Sequence, residues 1–159
     1  MICEKIIGKL NEINTENKTI EYVEIEWHEA FKRIHKKITN TGREIGIRLD
    51  DSVLSRGLYE GDVIYTDDTT IIAVHTPPCK AIKITIQPDH AFMIAKTCYE
   101  IGNRHAPLFY GKDNFSFITP YNEPMLIMLN NLHGVTAIKT QTKLDFDKRI
   151  SAVVHNHQH

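Results

Sequence analysis

The first half of the chain alternates apolar and polar side chains along several short segments, which predicts a β-rich domain. Between residues 19 and 27, Val23, Ile25 and Trp27 point one way while the glutamates between them point the other. Alternation with a period of two is typical of a strand with one buried face. This pattern and its flanking turn residues predict strands over residues 5–10, 19–27, 44–49, 62–66 and 70–75.

Residues 28–39 fit two different elements. Phe31, Ile34 and Ile38 are spaced as on one face of a helix, and this spacing slightly favours a short helix. Ile34, Lys36 and Ile38 would equally share one face of a strand. The pattern by itself leaves both structures open.

In the second half, segments with the spacing of a strand and segments with the spacing of a helix follow each other in a regular order. Ile82, Ile84 and Ile86 share one face of a predicted strand at 81–87, and a helix is predicted over 90–101, closed by Gly102. The pattern then predicts strands over 108–110 and 114–118, a helix over 121–132 and a strand over 135–140. The order β-α-β-β-α-β is that of a ferredoxin-like domain, so the predicted fold class is α+β.

The Pro77-Pro78 pair marks a stiff, extended connection between the two halves. The first half is acidic and the second is basic, and six of the nine histidines fall in the second. We therefore predict three parts: a β-rich domain over residues 1–76, a ferredoxin-like domain over 77–150 and a histidine-containing tail over 151–159.

Composition excludes several classes of function. A net charge of −1 gives no general attraction to nucleic acid. The longest purely apolar runs are five residues, far below the roughly 20 that a membrane helix needs. The first residues show no basic and then apolar pattern of a secretory signal, so a cytoplasmic protein is expected. The three scattered cysteines fit reduced thiols better than disulfides.

Three histidines near the end of the sequence and one histidine on a loop are candidates for metal binding. His155, His157 and His159 alternate, so an extended chain would project their rings to one side. Neutral imidazole is a good ligand for nickel, zinc and copper. His105 lies between the predicted helix end and Pro107, on a loop. A single loop histidine is by itself no sign of a metal site.

The residues around His105 resemble a family signature. The signature reads Ala95-Lys96-x-Cys98-Tyr99-x-x-Gly102-Asn103-Arg104-His105-x-Pro107. The first half carries two further matches, Thr39-x-x-Gly42-x-Glu44-x-Gly46-x-x-Leu49 and Leu58-x-x-Gly61-Asp62. Over nearly its whole length the chain is similar to the urease accessory protein E family of nickel metallochaperones.

The resemblance implies a specific fold and a non-enzymatic function. It implies a β-rich domain that binds a peptide or partner, with a strand over residues 32–39, and a ferredoxin-like domain that binds metal and dimerises. The cargo would be Ni(II), delivered during assembly of the urease active site, although Zn(II) or Cu(II) would suit the same ligands. The expected partners are a urease accessory GTPase and the apo-urease maturation complex.

The resemblance also implies which residues hold the metal. His105 would lie near the two-fold axis of a homodimer, where each subunit contributes one imidazole. His155 and His157 match the tail histidines of the family, and His159 would be a further ligand. Nitrogen ligation by a partly mobile set would bind an ion and still release it. Residues 115–123 contain no histidine, so no peripheral site is predicted there.

Two other classes of function fit the sequence less well. A metal-dependent hydrolase would need three fixed ligands, and His28-Glu29 begins a zincin-like pattern whose next ligand position is Lys32. An RNA-binding module shares the β-α-β-β-α-β order and could stack bases on Phe115 and Phe117. The run that contains these phenylalanines lacks the full RNA-recognition signature, and core packing explains both residues more simply.

Overall fold

The computed structural model of the chain describes residues 1–150 and confirms the α+β class. The chain divides into two compact units, Met1–Pro77 and Pro78–His159. Each unit is built around its own sheets, and the first has one short helix beside its strands.

The first unit contains seven strands and one short helix. In chain order these are β1 (Ile2–Cys3), β2 (Gly8–Lys9), β3 (Thr19–Glu24), β4 (Ile34–Ile38), β5 (Glu44–Arg48), α1 (Val53–Arg56), β6 (Asp62–Thr66) and β7 (Thr70–His75). They form a three-stranded sheet in the order β1-β5-β4 and a four-stranded sheet in the order β2-β6-β7-β3. The alternating residues Val23, Ile25, Ile45 and Ile47 are buried, as their period predicts.

The hairpin formed by β6 and β7 has the predicted bounds. The Asp67 carboxylate accepts hydrogen bonds from the backbone N–H groups of Thr69 at 2.8 Å and Thr70 at 2.7 Å. A side chain that bonds its own turn in this way favours a tight connection. The turn chemistry and the apolar runs beside it therefore specify this hairpin locally.

Residues 28–39 form a turn followed by a strand, not a helix. β4 pairs with β5 in antiparallel register, with His35 opposite Ile47. His35 is buried, while Ile34 and Ile38 are 72% and 61% exposed on the other face. Ile34 and Ile38, which suggested a helical face, therefore do not face the core, and the preference for a strand at 32–39 is confirmed for Ile34–Ile38.

Asp62 at the start of β6 is a buried charge whose oxygens are all occupied. Arg56 donates to both of its oxygens, at 2.6 and 2.9 Å. Lys9 approaches at 2.8 Å, and the backbone N–H of Tyr59 donates at 2.8 Å. The side chain of Asp62 is 0% exposed. These contacts connect β2, the end of α1 and β6 through one carboxylate.

The second unit is ferredoxin-like. Its elements are β8 (Cys79–Ile86), α2 (Met93–Asn103), β9 (Phe109–Tyr110), β10 (Ser116–Pro120), α3 (Glu123–Asn130) and β11 (Val135–Thr142), with single 3-10 turns at Pro88–His90 and Phe146–Lys148. The sheet order is β11-β8-β10-β9, with antiparallel neighbours. Its core is formed by residues from the sheet and both helices, among them Ile82, Ile84, Ile86, Met93, Ile101, Phe117, Met125 and Leu129.

Several predicted boundaries are wrong. The strand predicted at 5–10 is only the two residues Gly8–Lys9, and the strand Ile2–Cys3 was not predicted. The first helix of the second unit begins at Met93 instead of His90, because Pro88–His90 form a separate 3-10 turn. That helix also continues through Gly102 to Asn103. Gly102 therefore does not close it.

The phenylalanines considered for RNA binding belong to the protein interior. Phe117 is 2% exposed within the core, and Phe115 packs against the same cluster. Base stacking needs an aromatic ring on an open sheet face. Core packing is therefore confirmed as the better explanation of both residues.

Within residues 1–150, none of the helices combines the length and the apolar character needed to span a membrane.

Candidate metal centre

Helix α2 is apolar on two opposite sides. Met93, Thr97 and Ile101 are buried against the sheet. On the outer side, Phe92 immediately before the helix is 71% exposed and Tyr99 is 69% exposed. Phe92 and Tyr99 are seven residues apart, which places them on one helical face two turns apart. We call the surface of Phe92, Ala95, Tyr99 and Gly102 the outer stripe of α2.

The end of α2 is closed by His105 and not by a glycine. The His105 N–H donates to the Gly102 carbonyl at 3.0 Å, and the Ala106 N–H donates to the Ile101 carbonyl at 3.4 Å. These two bonds form a Schellman motif, in which the closing residue takes a left-handed conformation and is usually glycine. His105 has φ of 57° and takes that position.

A histidine in this conformation is strained. Left-handed backbone angles cost a residue with a Cβ about 1–2 kcal/mol. Such strain persists where the surrounding structure enforces it, and it concentrates at functional sites. His105 is exposed at the helix end, so no burial of its side chain accounts for the choice of histidine. The strained backbone therefore makes His105 a candidate functional residue.

The neighbours of His105 hold its loop in place. Arg104 donates to the Glu100 carbonyl at 2.9 Å and to the Glu100 carboxylate at 2.7 Å. On the other side, the buried Thr119 hydroxyl donates to the Pro107 carbonyl at 2.8 Å. The arginine of the family signature thus fastens the last turn of the helix, and Pro107 is anchored to β10. His105 is presented from a loop fixed at both ends.

The described part of the chain, residues 1–150, gives Gly102 no structural reason to be glycine. It lies inside the helix, its φ is not positive, and a Cβ added there would meet no described atom within 4 Å. Glycine inside a helix costs about 1 kcal/mol relative to alanine. Glycine is used where another backbone or a ligand approaches closely. Gly102 lies on the outer stripe, one turn before His105.

The segment before the tail lies beside the His105 loop. The Ile150 N–H donates to the Leu108 carbonyl at 2.8 Å, and Arg149 forms a bridge with Phe109. The rings of Phe109 and Phe146 lie 6.4 Å apart and are both buried. Leu108 is three residues from His105, a span of at most about 11 Å. The last described residue is therefore close to the candidate ligand.

Of the predicted ligands, only His105 belongs to the described residues. His155, His157 and His159 lie outside them. Within residues 1–150, no three or more histidine, cysteine or acidic side chains converge in a way that could hold a metal ion. The described part of the chain therefore supplies a single candidate imidazole at this site.

Other candidate residues have different environments. Cys98 on α2 packs against the core, as predicted, and burial raises the pKa of its thiol, which disfavours the reactive thiolate.

His90 and His133 are brought together by the fold, with ring centroids 4.6 Å apart. No sequence pattern predicted this pair, because the two residues are distant along the chain and lie in different elements.

Comparison with known proteins finds similarity over both units of the chain. The family profile for the N-terminal domain of UreE urease accessory protein matches residues 3–76, and the profile for its C-terminal domain matches residues 81–159. A urease accessory protein UreE of Helicobacter pylori (strain G27) is 39% identical over 95% of this chain and 86% of its own length. UreE proteins of Helicobacter acinonychis and Acetivibrio thermocellus are 38% and 34% identical, over 98% and 100% of this chain and 90% and 100% of their own lengths.

Proposed function

The chain belongs to the UreE family of urease accessory proteins and serves urease maturation, and from this premise we propose that it is a nickel carrier and not an enzyme. In this proposal the protein binds Ni(II) at a homodimer interface through His105 of each subunit and the tail histidines. It then delivers the ion during assembly of the urease active site.

The observation that carries the proposal is the conformation of His105. A glycine at that position would close α2 without strain, and the chain instead holds an exposed imidazole there. Imidazole nitrogen is a suitable ligand for Ni(II), and Zn(II) or Cu(II) could take its place. A rigid ligand on a fixed loop lowers the entropy lost when an ion binds.

The outer stripe of α2 supports a dimer around His105. Phe92 and Tyr99 leave a large apolar surface exposed on one helical face, and such surfaces mark interaction sites. The open space at Gly102 would let a second helix approach the backbone closely. An isologous interface doubles every residue near its two-fold axis. A contact along this stripe would therefore bring two His105 side chains to one place.

The tail histidines are within covalent reach of this site. His155 is five residues beyond Ile150, and five residues span up to about 18 Å when extended. Ile150 is bonded to Leu108 beside the His105 loop. Two His105 imidazoles with His155 and His157, and His159 as an alternative, would supply four or more nitrogen ligands. Such a site would hold Ni(II) without the closed thiolate cage that retains structural zinc.

The proposed partners follow from the family. We propose a urease accessory GTPase and the apo-urease maturation complex as the proteins that receive the nickel-loaded dimer, in the cytoplasm. The β-rich first unit would supply a surface for protein contacts.

A delivery assay tests the proposed function. Nickel-loaded protein, added to the apo-urease maturation complex with a chelator that removes free Ni(II), is expected to activate urease. The control is the same nickel and chelator with the His105→Ala variant, which is expected to give little activation. Equal activation by the two proteins would contradict delivery through His105.

The substitution Gly102→Ala tests the dimer surface. Because alanine favours a helix interior, the free subunit should gain up to about 1 kcal/mol of stability. The added methyl group should obstruct the close approach of the second helix and raise the dimer dissociation constant at least tenfold. Sedimentation velocity over a concentration series measures this constant.

A matched control is Thr136→Ala, on β11. Thr136 lies between Val135 and Ala137, which face the core, so it projects from the opposite face of the sheet. Its substitution should leave dimer affinity unchanged. If Gly102→Ala behaves like this control, the outer stripe is not the dimer surface.

A further inference from the structure

Two histidines meet at the other end of α2 from His105. His90 ends the 3-10 turn after β8, and His133 lies between α3 and β11. Their ring centroids are 4.6 Å apart, and the ring planes are inclined by 67°. His133 is exposed and the side chain of His90 is 18% exposed. The pair is thus accessible to an ion from solvent.

The Asp89 carboxylate orients the imidazole of His90. Asp89 Oδ1 lies 2.9 Å from His90 Nδ1. An ionised carboxylate only accepts hydrogen bonds, so Nδ1 carries the proton and donates it. Nε2 of the neutral ring is then left with its lone pair. A carboxylate behind the ring is the usual arrangement of a histidine that ligates a metal.

Gly134 fixes the position of the His90 ring. A Cβ at Gly134 would lie 2.5 Å from His90 Cγ, and Gly134 has φ of +74°. The His90 ring therefore packs directly over the backbone of the turn that carries His133. The Gln87 N–H also donates to the Gly134 carbonyl at 2.9 Å. The two histidines are held near each other by backbone contacts and not only by their side chains.

The spacing of the rings suits an ion with right-angled coordination. A metal bonded at about 2.1 Å to a ring nitrogen lies roughly 3.2 Å from that ring's centroid. Two centroids 4.6 Å apart then subtend about 90° at a common ion. Neighbouring ligands in octahedral or square-planar coordination meet at this angle, whereas tetrahedral zinc requires a wider one.

We propose that His90 and His133 form a second metal site in each subunit, which binds Ni(II) or Cu(II) through two imidazoles, with Asp89 as the orienting carboxylate and water in the remaining positions. Two protein ligands make it weaker than the proposed His105 site. Both of its ligands come from one subunit, so the partner subunit supplies no ligand to it.

The two sites are too far apart to share one ion. Helix α2 has 11 residues and is therefore about 16 Å long. His90 precedes its first turn and His105 follows its last. The second site would exist whether or not the proposed function of His105 is correct, and its test can be separated from that proposal.

The experiment uses the full chain with the other candidate ligands removed. The background protein carries His105→Ala together with glutamine at positions 155, 157 and 159. Ni(II) is titrated into it by calorimetry and, in parallel, into a ¹⁵N-labelled sample observed by NMR. We expect one weakly bound ion per subunit and selective paramagnetic broadening of the Gly134 amide signal.

Single substitutions in this background identify the ligands. His133→Gln changes an exposed residue and should weaken Ni(II) binding at least tenfold without affecting the fold. His90→Gln should do the same, and His28→Gln is the control that should change nothing. Absence of Ni(II) binding in the background protein, or unchanged affinity in His133→Gln, would overturn the proposal.

Discussion

Replacing His105 with glycine is expected to abolish tight nickel binding and to leave the protein as stable as before or slightly more stable. The left-handed backbone of His105 suits glycine better than any residue with a Cβ. Removal of the strain should raise the free energy of unfolding by about 1 kcal/mol. Most substitutions at a residue that the fold requires destabilise the protein. A gain in stability together with a loss of nickel binding would therefore show that His105 serves binding and not the stability of the fold.

The matched variant is His105→Ala. It removes the same imidazole but keeps a Cβ at the strained position, so its stability should remain close to that of the original chain. Both variants should lose nickel binding equally in calorimetric titrations, while thermal or chemical unfolding should rank glycine above alanine. Tight nickel binding that survives in either variant would show that His105 is not an essential ligand.

Replacing Asp62 with alanine is expected to destabilise the first unit by about 1–3 kcal/mol. The substitution leaves Arg56 and Lys9 without their buried partner and removes the acceptor of the Tyr59 N–H. Urea unfolding followed by circular dichroism would measure the loss. Asp51→Ala is the control, because its ion pair with Arg33 is exposed and should contribute no more than about 1 kcal/mol.

The effect of Asp62 should depend on pH in a defined direction. Burial by itself raises the pKa of Asp62, but hydrogen bonds from Arg56, Lys9 and the Tyr59 N–H lower it to a greater extent, so the pKa lies below the ordinary 3.8. A carboxyl group with a lowered folded-state pKa stabilises the protein above its unfolded-state value and loses that contribution as the pH falls. The stability difference between the original chain and Asp62→Ala should therefore be complete at pH 7 and shrink below pH about 4. A difference that does not change between pH 7 and pH 3 would contradict the ion-pair explanation.

Local sequence patterns predicted those parts of the fold that are determined by residues close together in the chain. The β6–β7 hairpin has the predicted bounds because its apolar runs are separated by a turn that Asp67 closes with its own side chain. Ile2–Cys3 was missed because this strand exists only through parallel pairing with Gly46 and Ile47. The exposed Ile34 and Ile38 were also misleading, because tertiary packing of the sheet buries the His35 face of β4 and leaves the isoleucine face exposed.

The candidate site was predicted in part. The signature around Gly102 and His105 located the loop, and its resemblance to the UreE family is confirmed. The helix end was misplaced because glycine is the usual closing residue, whereas here the closing hydrogen bonds belong to His105. The left-handed backbone of a histidine has no sequence signal of its own.

The pairing of His90 with His133 shows what a sequence pattern does not contain. Neither residue has a histidine neighbour at helical or strand spacing. They meet because β8 and β11 are adjacent antiparallel strands. The end of β8 lies beside the start of β11, so the turns that carry the two histidines lie at the same end of the sheet. Only the strand order of the ferredoxin-like unit brings such residues together.

In the proposed dimer, two subunits hold one nickel ion through the same histidine. Anomalous diffraction from a crystal grown with one Ni(II) per dimer tests this arrangement. We predict a single strong nickel peak on the two-fold axis, about 2.1 Å from a ring nitrogen of His105 in both subunits. A peak bonded to one subunit alone, or a peak that contacts neither His105, would contradict it.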